Sequence, residues 1–204
     1  MPARIHRHDL GLTWVMDDAM ERGCHALVAG DGRVWLVDPA RDDAALAAAA
    51  ALGEPAGVLQ LLDRHNRDCA KLAGELGVTH WTVPDARDSG AALPFEVRTV
   101  VWNPLWKEVA LWWPARRALV VAEVLGTNAA FAVGDGPVGV HPMRRLLPPS
   151  MLKGLDAEHL LVGHGAPLHG DAVGAEIDRA VARSRQDIPK LLRELPALVR
   201  AARG

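Results

Sequence analysis

The sequence predicts a layered α/β protein, and three observations carry that prediction. Two apolar runs, Cys24-His25-Ala26-Leu27-Val28-Ala29 and Arg33-Val34-Trp35-Leu36-Val37, flank Gly30-Asp31-Gly32. A glycine-rich turn between such runs signals a hairpin, because hairpin turns need positive φ. Helix-like and strand-like patterns then alternate as far as Val83, the order of a layered sheet-and-helix fold. The second half repeats the form of hairpin, strands and helix, which suggests a pseudo-duplicated sandwich.

Residues 4–16 alternate apolar positions and are expected as an edge strand. The hairpin follows and stops at Asp38-Pro39, where proline lacks the ladder donor. Asp42 or Asp43 opens an alanine-rich helix to about Leu52. Strand 57–62 leads into a polar loop and then a helix to Leu76, closed by Gly77. Val78 to Val83 reads as a strand ended by Pro84, and Phe95 to Trp102 as a half-buried strand. Glu108 to Trp113 and Ala118 to Ala122 form a second hairpin across residues 114–117. Segment 124–147 is a loop with short elements, and Pro148-Pro149 opens a short helix through Leu155. His159 to Val162 is a buried strand ending in Gly163-His164-Gly165. Asp171 caps a helix whose Val173, Ile177, Ala180 and Val181 share one face, and a last helix from Ile188 kinks at Pro196.

The chain of 204 residues fits one domain, residues 1–204, with C-terminal helices at about 171–202 packed on it. A net charge of −2 gives no broad basic field for nucleic acid or a membrane surface. No apolar run reaches signal-peptide or membrane-spanning length, and two cysteines make no disulfide framework, so a cytoplasmic setting is expected. Arginine far outnumbers lysine and alanine is abundant, as in a high-GC bacterial genome. No Gly-x-Ser-x-Gly elbow or phosphate-cradling glycine loop is present. The chemistry-bearing stretch is Asp63-Arg64-His65-Asn66-Arg67-Asp68-Cys69, between a strand and a helix.

Four landmarks stand in order: a hairpin ending in Val37-Asp38-Pro39, a strand leading to the loop with Asp68, a strand ending in Ala122-Glu123, and one ending in Gly163-His164-Gly165-Ala166-Pro167. From about Gly23 to Leu168 this resembles the metallo-β-lactamase superfamily, which implies a four-layer αββα sandwich with a site where strand ends and loops converge. The family's loop reads Thr-His-x-His-x-Asp-His. With Asp68 on its Asp, Arg64 and Asn66 fall on the first two histidines, Cys69 on the last, and His65 on a spacer whose side chain is expected to point elsewhere. A one-residue slip puts Ala70 and Cys69 at ligand positions and is rejected. The family's middle histidine has no counterpart in Asn103-Pro104-Leu105-Trp106-Lys107, and its bridging Asp becomes Glu123.

The resemblance therefore implies a degenerate member. One of the family's two metal positions has lost its ligands, and the other retains Asp68, Cys69, Glu123 and His164, all able to ligate zinc. Arg64 is expected to stand in for the lost cation beside Asp68 and Glu123, with Asn66 and His141 lining the cleft. The favoured expectation is a metal-free binding or assembly protein rather than a dinuclear zinc hydrolase. The alternative is a mononuclear hydrolase of an ester, lactone, thioester or phosphoester, with one zinc, iron or manganese on those four residues. Both leave room for a small-molecule ligand and a homo-oligomer. The plainer roles are a helix N-cap for Asp68, an apolar filler for Cys69, an arginine partner for Glu123 and a turn former for His164. His6, His8, His25, His80 and His159 read as surface or sheet residues, and the tryptophans of 102–113 as filling a sheet face.

Overall fold

The computed structural model describes residues 2–65 and 67–201. The chain opens with a meander of β1 (Arg4–His8), β2 (Gly11–Val15), β3 (Gly23–Val28) and β4 (Val34–Val37). Then come α1 (Asp43–Ala50), β5 (Pro55–Leu59), α2 (Cys69–Leu76), β6 (Thr79–Trp81) and α3 (Val83–Arg87). The second half contains β7 (Glu96–Asn103), β8 (Trp106–Trp113), β9 (Ala118–Val121), β10 (Leu125–Gly126), β11 (Gly139–Val140), β12 (His159–Val162) and β13 (Leu168–His169). It closes with α4 (Val173–Arg183) and α5 (Ile188–Ala201).

Sheet one runs in the order β1-β2-β3-β4-β5-β6, with parallel pairs where α1 and α2 make the crossovers. Sheet two runs β13-β12-β9-β8-β7, and β10 pairs with β11 in a separate ribbon. Period-two alternation explains the layering. On β4, Val34 and Leu36 join the outer cluster with Ala45 and Ala49 of α1 and Cys69 and Ala73 of α2. Trp35 and Val37, one residue out of phase, join the inner cluster with Val109, Leu111 and Leu119 of sheet two. Strands buried on both faces read as continuous apolar runs, as β9 and β12 do. Val173, Ile177, Ala180 and Val181 place α4 against the second half, so helices flank both outer sides of an αββα sandwich. Among the described residues, no helix is long and apolar enough to cross a membrane.

Several local expectations are corrected. Residues 4–16 form two strands, and β2 is an interior strand with every residue buried, because Gly11 at φ +133 lets the chain reverse after Leu10. Pro84 starts α3 instead of merely ending a strand: Thr82 and Asp85 form a capping box and proline suits the first helical turn. The helix expected through Leu155 is a single 3-10 turn at Ser150–Leu152. Ala172, not Asp171, is the N-cap of α4, and its side chain makes no capping bond. Asp42 does cap α1, accepting from the Ala45 amide at 2.9 Å.

Candidate metal centre

The two sheets are stitched together where their loops meet. After β5 the chain crosses to sheet two: the Val109 amide donates to the Leu61 carbonyl at 2.9 Å, and the Asp63 amide to that of Lys107 at 3.0 Å. A tight turn, with the His65 amide donating to Leu62 O at 2.9 Å, then folds His65 back between the sheets. On the other side the Gly23 amide donates to Gly163 O at 2.9 Å, fixing the strand end that carries His164. Arg67 closes the seam, its guanidinium donating to the carbonyls of Gly23, Asp38 and Gly163 at 2.6, 2.8 and 3.1 Å. Gly163 is required here, since a Cβ would stand 2.2 Å from the Ala122 carbonyl oxygen.

Three side chains converge at this junction. Nε2 of His65 lies 3.3 Å, and Nε2 of His164 3.6 Å, from Oε1 of Glu123. One ligand atom from each lies within 4.8 Å of the others. The outer ring nitrogens are committed elsewhere. His65 Nδ1 is 3.0 Å from Oδ2 of Asp38, and His164 Nδ1 is 3.0 Å from the Met20 carbonyl. Both partners only accept, so each Nδ1 carries a proton and each Nε2 of a neutral ring offers its lone pair toward Glu123. His164 Nε2 is buried with no hydrogen-bond partner. Lone pairs facing a carboxylate oxygen call for positive charge between them, whether protons or a metal cation.

The surroundings hold this arrangement. Asp38, at φ +45, is buried, and its Oδ1 accepts from the Leu61 amide at 3.0 Å. Burial alone would raise its carboxyl pKa, but His65 outweighs burial and holds it low. Burial likewise opposes charging of His65, yet Asp38 raises that pKa. Burial works to raise the Glu123 carboxyl, and bonds from His164 and His65 with the Arg64 guanidinium hold it well below the ordinary range. Buried Glu108 accepts from the Glu123 and Val124 amides at 2.8 and 3.0 Å and from Trp106 Nε1 at 2.9 Å, fixing the backbone that aims Glu123. Burial pushes the Glu108 carboxyl up to about 7.

Of the four ligands expected from sequence, the structure brings together Glu123 and His164. Asp68 is the N-cap residue of α2, and its carboxylate accepts from the Arg41 amide at 2.7 Å. Cys69 lies in the outer core beside Ala73, and burial pushes its thiol pKa up, so it stays protonated. His65, assigned to a spacer, takes the position expected of a ligand, because the turn at Leu62–His65 rotates it inward. Arg64 pairs with Glu123 at 2.9 Å and stacks 4.3 Å from the Trp106 ring, but it does not reach Asp68, which Arg41 holds. His141 has Nε2 3.9 Å from Glu123 Oε2, while its Nδ1 accepts from the Met143 amide at 3.2 Å. Its proton therefore sits on Nε2, facing the carboxylate. Burial lowers its pKa to about 4. Asn66 lies outside the described residues. The signal for His65 was Asp38: an acid at the end of an interior strand needs a donor, and the loop's one histidine supplies it.

A metallo-β-lactamase from Erythrobacter litoralis superposes on this chain with a TM-score of 0.59, covering 90% of this chain and 98–6=92% of that one at 14% identity.

 That is, the match spans 90% of this chain and 92% of the Erythrobacter protein. One from Hirschia baltica matches with a TM-score of 0.58 at 12% identity, over 91% of this chain and 98% of that one. The metallo-β-lactamase FIM-1 from Pseudomonas aeruginosa, in its mono-zinc form, matches with a TM-score of 0.55 at 12% identity, over 91% and 97%. The chain has the metallo-β-lactamase fold. No family model matches the sequence, and no curated protein matches it. Within the metallo-β-lactamase fold, the His65–Glu123–His164 group lies where the two sheets' loops converge.

Proposed function

We propose that the chain binds one divalent transition-metal ion on His65, Glu123 and His164 and is a mononuclear hydrolase of an ester, lactone, thioester or phosphoester. The observation that carries this reading is the orphaned Nε2 of His164, buried 3.6 Å from Glu123 while Nδ1 is committed to Met20. Two imidazoles and a carboxylate are a donor set that suits a catalytic zinc, with a position left for water or substrate. When bound, the ion would polarise a carbonyl or phosphoryl oxygen and acidify a water. Asp38 and the Met20 carbonyl hold the histidines in the ligating tautomer, and Glu108 aims Glu123. Arg64, half exposed beside Trp106, offers a cation to an anionic group of the substrate. The mono-zinc form of FIM-1 is a property of that protein, and it is compatible with one ion on this fold.

One observation favours a second reading, a binding protein that works without metal: Arg64 already neutralises Glu123. Metal content after chelator-free purification and zinc reconstitution decides between them. His65→Ala and His164→Ala are each expected to hold one equivalent less than the parent, with Asp68→Ala unchanged. Equal metal content in the parent and both histidine variants would sink the metal reading.

A further inference from the structure

A second group of histidines lies at the other end of β12, about 16 Å along the strand from His164 at 3.3 Å per residue. His159 of β12 and His169 of β13 are paired in register, with their Nδ1 atoms 2.8 Å apart. The ring of His8, on β1 of the other sheet, stands 5.0 Å from that of His169.

A hydrogen-bond chain fixes the His8 tautomer. Buried His25 bonds to the Val162 backbone, whose carbonyl accepts, so the other ring nitrogen, Nδ1, is an acceptor. Thr13 Oγ1, 2.9 Å away, therefore donates to His25 Nδ1 and accepts from His8 Nε2 at 3.1 Å. His8 Nδ1 is left as a bare lone pair, buried with no partner. Asp9 Oδ1, 3.7 Å from His159 Nε2, favours the proton on that nitrogen and frees His159 Nδ1 as well. Burial, then the neighbouring His169, lowers the His8 pKa to about 4, and burial with His159 lowers that of His169, so both rings are neutral near pH 7.

We propose that His8, His159 and His169 form a second metal site, for a borderline divalent transition ion of the zinc class, clamping β1 of one sheet to β12 and β13 of the other. Neutral imidazoles suit zinc, copper and nickel, whereas magnesium prefers oxygen donors. The ring separation means that the side chains close inward on the ion. This site shares no residue with the His65 centre and stands independently of it.

Zinc titration of the full chain, followed by imidazole nitrogen NMR and a competing chelator, tests the proposal. In the unaltered protein, zinc is expected to shift the ring resonances of His8, His159 and His169, while magnesium leaves them in place. His169→Ala and His8→Gln should each bind one equivalent less than the parent, and His164→Ala should keep these three shifts. Shifts confined to His65 and His164, an equal response to magnesium, or parental stoichiometry and affinity in both His169→Ala and His8→Gln would overturn it. The resonances are read on the unaltered chain, so a variant that fails to fold leaves the test intact. Loss of the His65 centre alone would leave these resonances responsive.

Discussion

At the residue scale, Asp38 acts on the candidate centre through His65. It occupies a left-handed backbone conformation that asparagine tolerates, so Asp38→Asn isolates the carboxylate charge from the turn. Removing a carboxylate partner from a metal-bound histidine costs about 10- to 100-fold in affinity. Asp38→Asn is expected to lower zinc affinity at the His65 centre within that range, measured by chelator competition, with the fold retained by circular dichroism.

His65 also sets a pH dependence. Its folded pKa is raised above 6.5, so the protonated form stabilises the metal-free fold fully below that value. That stability is lost as pH rises from 6.5 through the folded pKa. Buried Glu108, raised to about 7, acts with the same sign up to that pH. Below 6.5 the buried neutral His25, lowered to about 3, pulls the other way, so the informative window lies above. The Tm of the metal-free protein is expected to fall through this window, and less so in His65→Gln. Since zinc competes with the same proton, its affinity should rise over the same interval.

At the element scale, Gly163 joins β12 to the site. Gly163→Ala would drive a Cβ into the Ala122 carbonyl and bring it to 3.1 Å from His65 Cε1, where neither neighbouring strand has room to move. A loss of about 2–4 kcal/mol in denaturant unfolding is expected, by analogy with overpacking and strain. Gly30→Ala, with nothing within 4 Å of its added Cβ, serves as the matched control and should change stability by about 0.5 kcal/mol or less.

The same scale shows what the sequence made legible. The hairpin at Gly30–Gly32, the Asp42 cap and the buried runs of β9 and β12 follow from local pattern and turn chemistry, and they appear as expected. Glu123 and His164 sit at strand ends, whose positions local pattern also fixes. His65 does not, because its direction depends on residues 61–63 pairing with 107–109 across the sandwich, a contact between segments more than forty residues apart in the chain. Aligning the loop by its Asp assumed a path that this crossing changes. β2 was hidden for a related reason: Leu10–Gly11 reverses the chain within an apolar stretch that has no proline or paired glycine to mark a turn.

At the scale of the whole molecule, the donors of the candidate centre are divided between the halves. His65 and Asp38 come from the first, and Glu123 and His164 from the second. An ion held by all three ligands binds the docked sandwich and not the separated sheets, so it stabilises by mass action. At a free zinc concentration 100 times Kd the stabilisation is about 2.7 kcal/mol. A scan of Tm against zinc should therefore rise with concentration in the parent and rise less in His164→Ala.

The Arg67 guanidinium, reaching carbonyls on Gly23, Asp38 and Gly163, gives this division a further meaning. It belongs to neither half in particular. A planar fork bonded to three strand ends works as a gauge, satisfied only when the spacing between the sheets is correct. Lysine keeps the charge but offers a single point of attachment, so Arg67→Lys would leave each sheet formed and make their separation adjustable. The precision of any chemistry at Glu123 would then be set by how well the two sheets remember their distance, and not by the ligands themselves.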